Sequence, residues 1–254
     1  MSDLVELPSY AYVFVMVLAR VGSAATLLPG VGEAELPATI RAGLAIALTV
    51  LLVPVLQPAM PPLPAGPIAL LGDLAAEIAT GVWMGWLVRI AAQALQVAGQ
   101  IIASVSGLSN VLQPDAVLGG QNSVVAHAMG LAAPVLILAG DLHQLPLRAL
   151  AGSYDVVAAG RFLPAAETAE HAMRAVAAAF ALAFQLAGPI VLASIVWQFA
   201  LGLLSRLVPQ LQVFFAAMPG QIGGGLVLLA MLGGGILAVW QEAMRATLST
   251  LPGL

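Results

Sequence analysis

The chain has 254 residues, of which 61% are hydrophobic and only 8% charged, and its mean hydropathy is +1.03. This composition excludes an ordinary soluble domain and indicates an integral membrane protein. Its net charge of −4 includes no run of one sign, which argues against nucleic acid as a partner. Because a helix needs about 20 apolar residues to cross a bilayer, residues 1–254 have room for roughly six segments in a single membrane domain.

The first apolar run, Tyr10 to Leu28, carries Arg20 at its centre. A lone arginine at that depth costs at least about 3 kcal/mol on insertion scales. We therefore expect Arg20 to be a buried charge that faces protein, a polar cavity or an acidic partner. A second run extends from Ile40 to Leu56, and the proline-rich residues 57–67 predict a stiff connection after it.

The next helical stretch, which starts at Ile68, carries charges and glycines on one face. Four residues spaced four apart share that face: Glu77, Gly81, Gly85 and Arg89. Glycines between opposite charges are typical of close packing, against either another helix of this chain or a partner subunit. These charges, with Arg20 and Asp73, are also candidates for a proton relay, but structural pairing is the favoured interpretation.

A polar stripe continues along the same stretch. Its side chains recur every three or four residues: Gln93, Gln96, Gln100 and Ser104. The stripe leads into the segment from Ser106 to Ser123, hereafter the insert, which is rich in glycine, asparagine and glutamine and also holds a proline and an aspartate. A helix with this polar stripe fits a subunit contact or a water-filled path better than it fits lipid.

After the insert, apolar runs alternate with breaks. Val124 to Leu142 is apolar and is closed by Asp141 and His143, whereas the following polar region, with charges from Arg148 to Arg174, is the most water-compatible stretch of the chain. Residues 172–204 form either one long helix or two pieces kinked at Gly188 and Pro189, because proline removes a backbone donor and clashes one turn back.

The C-terminal part contains two prolines and, after them, two glycine triplets. Pro209 and Pro219 bracket a short aromatic segment, and the last apolar run extends from Gln221 to Val239. This run holds glycine triplets at 223–225 and 233–235. Residues eleven apart in the two triplets are separated by close to three helical turns, so both triplets open the same side to another backbone.

Residues for catalysis or metal binding form no recognisable pattern. The chain has no cysteine, which excludes disulfides and thiolate chemistry, and His127, His143 and His171 are widely separated. Hydrolase, nucleotide-binding and metalloprotease motifs are absent from the sequence. We therefore expect no enzyme activity, no catalytic residues, no cofactor and no metal site.

Motifs throughout the chain resemble those of the FliR family, the flagellar type III export-gate subunits whose virulence counterparts are called SctT. They include AGQ at 98–100, the GLSN-to-GGQNS insert, DLH at 141–143, SY at 153–154, and the Glu77, Gly81 and Gly85 face. The most specific is SRLVPQLQVFFAAMPG at 205–220, because an R-x-x-P-Q step, an aromatic pair and a further proline are hard to obtain from membrane composition alone. The resemblance extends over nearly the whole length.

This resemblance implies an all-α membrane protein of kinked helical hairpins, built into a helical export-gate assembly. Residues 1–164 would be a FliP-like part and residues 165–254 a FliQ-like helical hairpin. The implied partners are FliP, FliQ, FlhB, membrane lipid and the unfolded flagellar proteins that pass through the gate. The implied function is that of a non-enzymatic, single-copy channel subunit in the bacterial inner membrane, associated with the flagellar basal body.

The resemblance also implies roles for particular residues. The insert, residues 106–123, corresponds to the plug loop that closes the family's pore, with plug residues Gly107, Leu108, Ser109, Asn110, Val111, Leu112, Gln113, Pro114, Asp115, Gly119, Gly120 and Gln121. Where many relatives have an Asp-Pro or Asn-Pro step in this loop, the chain reads Gln113, Pro114 and Asp115. Residues expected at helix-packing or subunit interfaces are Glu77, Gly81, Gly85, Arg89, Gln96, Gln100, Arg206, Pro209, Gln210, Phe214, Phe215, Pro219, Gly223, Gly224, Gly234 and Gly235.

A stand-alone secondary transporter, with the insert as a re-entrant polar loop, is the alternative function. It predicts two similar halves, and no clear internal repeat is visible because the glycine triplets have no counterpart in the first half. Six ordinary spans are the alternative topology. Apolar segments that other subunits cover need not cross the bilayer at all.

Overall fold

The computed structural model describes residues 3–111, 123–207 and 213–254. Regular secondary structure in these residues is helical. The α-helices in chain order are α1 (Asp3–Ala25), α2 (Ala38–Leu56), α3 (Pro67–Val105), α4 (Leu108–Val111), α5 (Val124–Ala139), α6 (Gln144–Val156), α7 (Ala165–Leu207) and α8 (Val213–Leu248). A short 3₁₀ helix, Gln57–Ala59, extends α2.

Proline and glycine set several of the helix ends. Helix α2 begins directly after Pro37, and α3 has Pro67 as its first residue, where the missing N–H would have no helical partner in any case. Helix α3 ends at Val105, and Gly107 follows with a φ of +74°. Glycine adopts this left-handed conformation without a steric penalty, so it is suited to stopping a helix there.

Prolines inside the later helices do not end them. Helix α7 is continuous through Pro189, so of the two interpretations of residues 172–204 the structure has the single helix. Helix α8 begins at Val213 and continues through Pro219, whereas the sequence predicts an apolar run that starts only at Gln221. The long apolar stretches on both sides keep the helix in register across the hydrogen bond that each proline removes.

The water-compatible stretch after Leu142 is largely helical. Helix α6 occupies Gln144–Val156, and its axis is bent by 72° from that of α5. Asp141 lies in the break with a φ of +56°, a conformation that aspartate tolerates better than most residues. Ser153 and Tyr154 of α6 are buried, so the polar composition of this stretch reflects internal contacts as well as exposure to solvent.

Five helices in the described part of the chain are long and apolar enough to cross a membrane, or up to six if α5 and α6 form one bent span. Helices α3, α7 and α8 contain 39, 43 and 36 residues, well beyond the ~20 that a bilayer requires. The predicted fold class, an all-α membrane protein, is confirmed.

The packing of the chain divides it into two compact units. Unit 1 comprises residues 1–91, 137–176 and 245–254, and its buried core includes Met16, Val17 and Val21 of α1. Unit 2 comprises residues 92–136 and 177–244, and its core includes Ala126 and Ile190. The buried charges therefore belong to unit 1, and both described ends of the insert belong to unit 2.

Candidate functional site

A fully buried ion pair between α1 and α3 is the most polar feature of unit 1. Arg20 Nε donates to Glu77 Oε2 at 2.8 Å, and Arg20 Nη2 donates to Glu77 Oε1 at 2.9 Å. Both side chains are completely shielded from solvent. Two parallel N–H···O bonds fix the angle between the planar groups as well as their distance, so the pair holds α1 and α3 in one register.

Further hydrogen bonds to this pair come from α6 and the turn after it. Arg20 Nη1 donates to Ser153 Oγ at 3.0 Å, and Nη2 also donates to the Val157 carbonyl at 3.1 Å. The Gly160 backbone N–H donates to Glu77 Oε1 at 2.9 Å. The guanidinium carbon lies 3.7 Å from the centre of the Tyr154 ring, a cation–π arrangement.

The glycines after Glu77 lie against the backbone of α1. A Cβ added at Gly81 would come within 2.2 Å of the Arg20 carbonyl oxygen and 2.1 Å of Ser23 Oγ. One added at Gly85 would lie 2.7 Å from the Ala24 carbonyl oxygen. Real Cβ atoms essentially never approach so closely, so only glycine permits this helix crossing.

The C-terminal end of the same face carries a second ion pair, which is more exposed than the first. Arg89 Nη1 donates to Glu33 Oε1 at 3.1 Å, and both side chains are partly exposed. All four residues of the face therefore contact residues 20–33 of the same chain. Asp73, one turn before Glu77, accepts a 2.9 Å hydrogen bond from the Tyr12 hydroxyl.

The start of the insert is held in unit 2 by α8. Gln221 Nε2 donates to the Val105 carbonyl at 3.0 Å, and Gly225 packs against the buried Ser106. Gly107 follows in its left-handed conformation, and Leu108 opens the single turn of α4 with its side chain buried.

The end of the insert is held by α3 and caps α5. The Ser123 backbone N–H donates to Gln100 Oε1 at 3.1 Å, and Ser123 Oγ accepts the Ala126 N–H at 3.2 Å. The second contact is that of a helix N-cap. Gln96 packs against α5, because a Cβ at Gly130 would lie 3.3 Å from its side-chain amide.

Part of the predicted site lies outside the described residues. Of the predicted plug, Gly107 to Val111 are described, with no side-chain positions for Asn110 and Val111, whereas Leu112 to Gln121 lie outside. Among the interface candidates, Pro209 and Gln210 also lie outside, and the side chains of Phe214 and Phe215 are not described.

The other C-terminal interface candidates are either exposed or have free space beside them. Arg206 and Pro219 are exposed. Four of the predicted glycines have no described atom within 4 Å of an added Cβ: Gly223, Gly224, Gly234 and Gly235. In the first triplet, Gly225 is the member that makes a close contact within the chain.

Several residues at these sites were missed by sequence reasoning. Val157 and Gly160 contribute only backbone groups to the ion pair, so no side-chain pattern points to them. The sequence marks Ser153 only as part of a family motif. It places Gln221 at the start of an apolar run, although a glutamine beside glycine in such a helix indicates a polar contact.

These helices define an all-α integral membrane protein, and the buried charges among the described residues, Arg20 and Glu77, pair with each other. The family model described as "Bacterial export proteins, family 1" matches residues 11–247. The chain belongs to this family, and the resemblance to FliR proteins read from its motifs is confirmed.

The curated relatives are flagellar proteins. The chain is 34% identical to the flagellar biosynthetic protein FliR of Caulobacter vibrioides over 237 residues, which cover 93% of this chain and 94% of the relative. It is 26% identical to FliR of Bacillus subtilis over 260 residues, covering 100% and 97%. It is 27% identical to FliR of Escherichia coli K12 over 232 residues, covering 88% and 83%.

Proposed function

We propose that the chain is a non-enzymatic subunit of the flagellar type III protein export gate and forms part of the channel for unfolded flagellar substrates. The observation that carries this proposal is the match to the export family over residues 11–247, together with 34% identity to a flagellar FliR protein along nearly the whole of both chains. Its proposed location is the bacterial inner membrane at the flagellar basal body.

The proposed partners are FliP, FliQ and FlhB. Incomplete burial of the long helices supports an assembly, because large apolar side chains of α7 are exposed from Phe180 to Leu207. Lipid covers about 20 residues of a helix, so this exposed apolar stretch is longer than one bilayer crossing and needs further cover. Neighbouring subunits supply such cover as well as lipid does.

Within the gate, residues 1–164 form the proposed FliP-like part and residues 165–254 the FliQ-like hairpin. Helix α7 begins at Ala165, which supports a boundary near Pro164. The two compact units cut across this boundary, since they follow the packing of the folded chain, whereas the proposed parts follow its order.

The insert is the proposed plug of the channel. Its composition supports this role, because glycine permits several backbone conformations, and asparagine, glutamine and serine form hydrogen bonds without a fixed charge. The contacts of Gln100 and Gln221 at its two ends support a defined resting position.

Deletion of residues 107–120 tests the plug. We expect the purified assembly to retain its subunits and to conduct ions through a planar bilayer severalfold more than the wild type, because the channel has lost its closing segment. An intact assembly with unchanged conductance would rule out a plug at this position.

Co-purification tests the gate assignment itself. A tagged chain solubilised in mild detergent should retain several copies of small hydrophobic subunits. A chain that elutes alone and binds a solute would instead support the stand-alone transporter.

A further inference from the structure

Residues 249–254, hereafter the strap, follow α8 and lie against α6. A Cβ added at Gly253 would come within 2.5 Å of the Ala149 carbonyl oxygen and 2.6 Å of the Ser153 nitrogen. A Cβ added at Gly152 would collide with the Gly253 carbonyl oxygen, and its three nearest neighbours all belong to Gly253. The two glycines therefore bring the backbone of the strap directly onto the backbone of α6.

The strap has an ordered structure of its own. The Leu251 N–H donates to the Leu248 carbonyl at 3.3 Å, and the Leu254 N–H donates to the Leu251 carbonyl at 3.3 Å. Gly253 has a φ of +93°, which glycine adopts without a steric penalty. The side chain of Leu251 is buried and that of Leu254 is exposed, so Leu251 is the apolar anchor of the strap in unit 1.

The strap contacts the turn of α6 that serves the buried ion pair. Ala149 and Ser153 are four positions apart, so the two atoms that face Gly253 are the acceptor and the donor of one helical hydrogen bond. Ser153 Oγ accepts the 3.0 Å bond from Arg20 Nη1, and the Ser153 carbonyl accepts the Val157 N–H at 2.8 Å. Val157 in turn offers its carbonyl to Arg20 Nη2. Both of these acceptors of Arg20 therefore depend on the position of this turn.

We propose that Gly152 and Gly253 are positioning residues through which the strap holds α6 against the buried ion pair of Arg20 and Glu77. The buried cluster is complete only when the strap is docked, so a segment after α8 completes a contact between α1, α3 and α6. The inference goes beyond the proposed export function and does not depend on it, because all of these residues belong to unit 1.

Substitution of Gly152 by alanine tests the proposal in the purified full-length chain. The new methyl group displaces the strap, so hydrogen exchange at the Gly160 N–H, which donates to Glu77, should accelerate about tenfold or more. Gly43→Ala is the matched control, because Gly43 also lies inside a helix of unit 1 and has no described atom within 4 Å of an added Cβ. It should leave exchange at Gly160 at the wild-type rate. Unchanged exchange in Gly152→Ala would overturn the proposal.

A second background separates positioning of the ion pair from general packing. In the variant Arg20→Met, Glu77→Met, α6 has no buried charges to meet. Gly152→Ala should therefore lower the midpoint of thermal unfolding by less in this background than in the wild type. An equal reduction in both backgrounds would overturn the proposal, because the strap would then stabilise α6 without acting on the pair.

Leu251 decides the matter if Gly152→Ala fails to fold. Leu251→Ala removes the buried side chain of the strap, whereas Leu254→Ala removes a side chain that is 53% exposed. We expect exchange at the Gly160 N–H to be several times faster in Leu251→Ala than in Leu254→Ala, which should behave as the wild type. Equal exchange in these two variants would overturn the proposal.

Discussion

Unit 1 and unit 2 hold their polar groups with different chemistry. In unit 1, Arg20 directs four of its five N–H donors to Glu77, Ser153 and Val157, and every one of these contacts is buried or partly buried. In unit 2, the ends of the insert are held by two neutral glutamine side chains and by close contact of glycine with serine.

The two arrangements differ in the free energy needed to separate their contacts. Separating Arg20 from Glu77 leaves charges without partners in a dry interior, which typically costs several kcal/mol. Exchanging a neutral amide bond for water changes the free energy by only about 0.5–1.5 kcal/mol. The contact between Arg20 and Glu77 in unit 1 therefore costs more free energy to separate than the neutral contacts at the two ends of the insert.

Removal of Arg20 should have the largest effect on stability. Arg20→Met leaves Glu77 buried without its counter-ion, so we expect a loss of about 3–5 kcal/mol, measured by thermal unfolding of the purified assembly. The double variant Arg20→Met, Glu77→Met removes both charges and should recover most of the loss. An Arg20→Met variant as stable as the wild type would show that the ion pair with Glu77 does not stabilise the contact between α1 and α3.

The glycine contact in unit 1 should rank next. Gly81→Ala forces a methyl group against the Arg20 carbonyl, and we expect a loss of about 1–3 kcal/mol in the same assay. Gly72→Ala on the same helix is the control, since no described atom lies within 4 Å of its added Cβ. It should be neutral or stabilise α3 by up to about 1 kcal/mol. Equal effects of the two substitutions would mean that the α1–α3 crossing is not tight.

Loss of a neutral contact in unit 2 should cost less. Gln100→Ala removes the acceptor of the Ser123 N–H and should destabilise the assembly by about 1 kcal/mol. Hydrogen exchange at Ser123 should accelerate in Gln100→Ala and stay slow in Gln100→Glu, which keeps an acceptor oxygen. Unaltered exchange in Gln100→Ala would show that this contact does not hold the insert.

The exposed ion pair at the start of α7 should matter least. Arg174 donates to Glu170 one turn earlier, and both side chains are largely exposed. Arg174→Ala should change stability by at most about 0.5 kcal/mol, and this change should shrink further in high salt. A loss of stability as large as that of Arg20→Met would show that the buried and the exposed ion pair contribute equally to stability.

Local sequence patterns predicted the helices better than their contacts. The burial of Arg20 follows from one charge in an apolar run, and the Glu77 face follows from a spacing of four. Pairing the two requires the fold, because they are 57 positions apart and Asp73 was an equally suitable acid. Helix α6 was missed because its polar side chains look solvated until Arg20 is placed among them.

The insert was found from composition alone, and its attachment was not. The glutamine stripe of α3 leads directly to Gln100 and the end of the insert, so local periodicity was informative there. Gln221 and Gly225 contact Val105 and Ser106 from a helix more than a hundred residues away. Pro219 also makes the sequence predict too late a start for α8, since a proline ends a helix more readily in water than in a long apolar segment.

A structure of the complex purified through this chain tests the central claim most directly. The proposed function predicts one copy of the chain among several small hydrophobic subunits, with residues 106–123 on the axis of the channel and Val105 held by Gln221. A chain without partner subunits, or an insert on the lipid-facing side of the assembly, would contradict it.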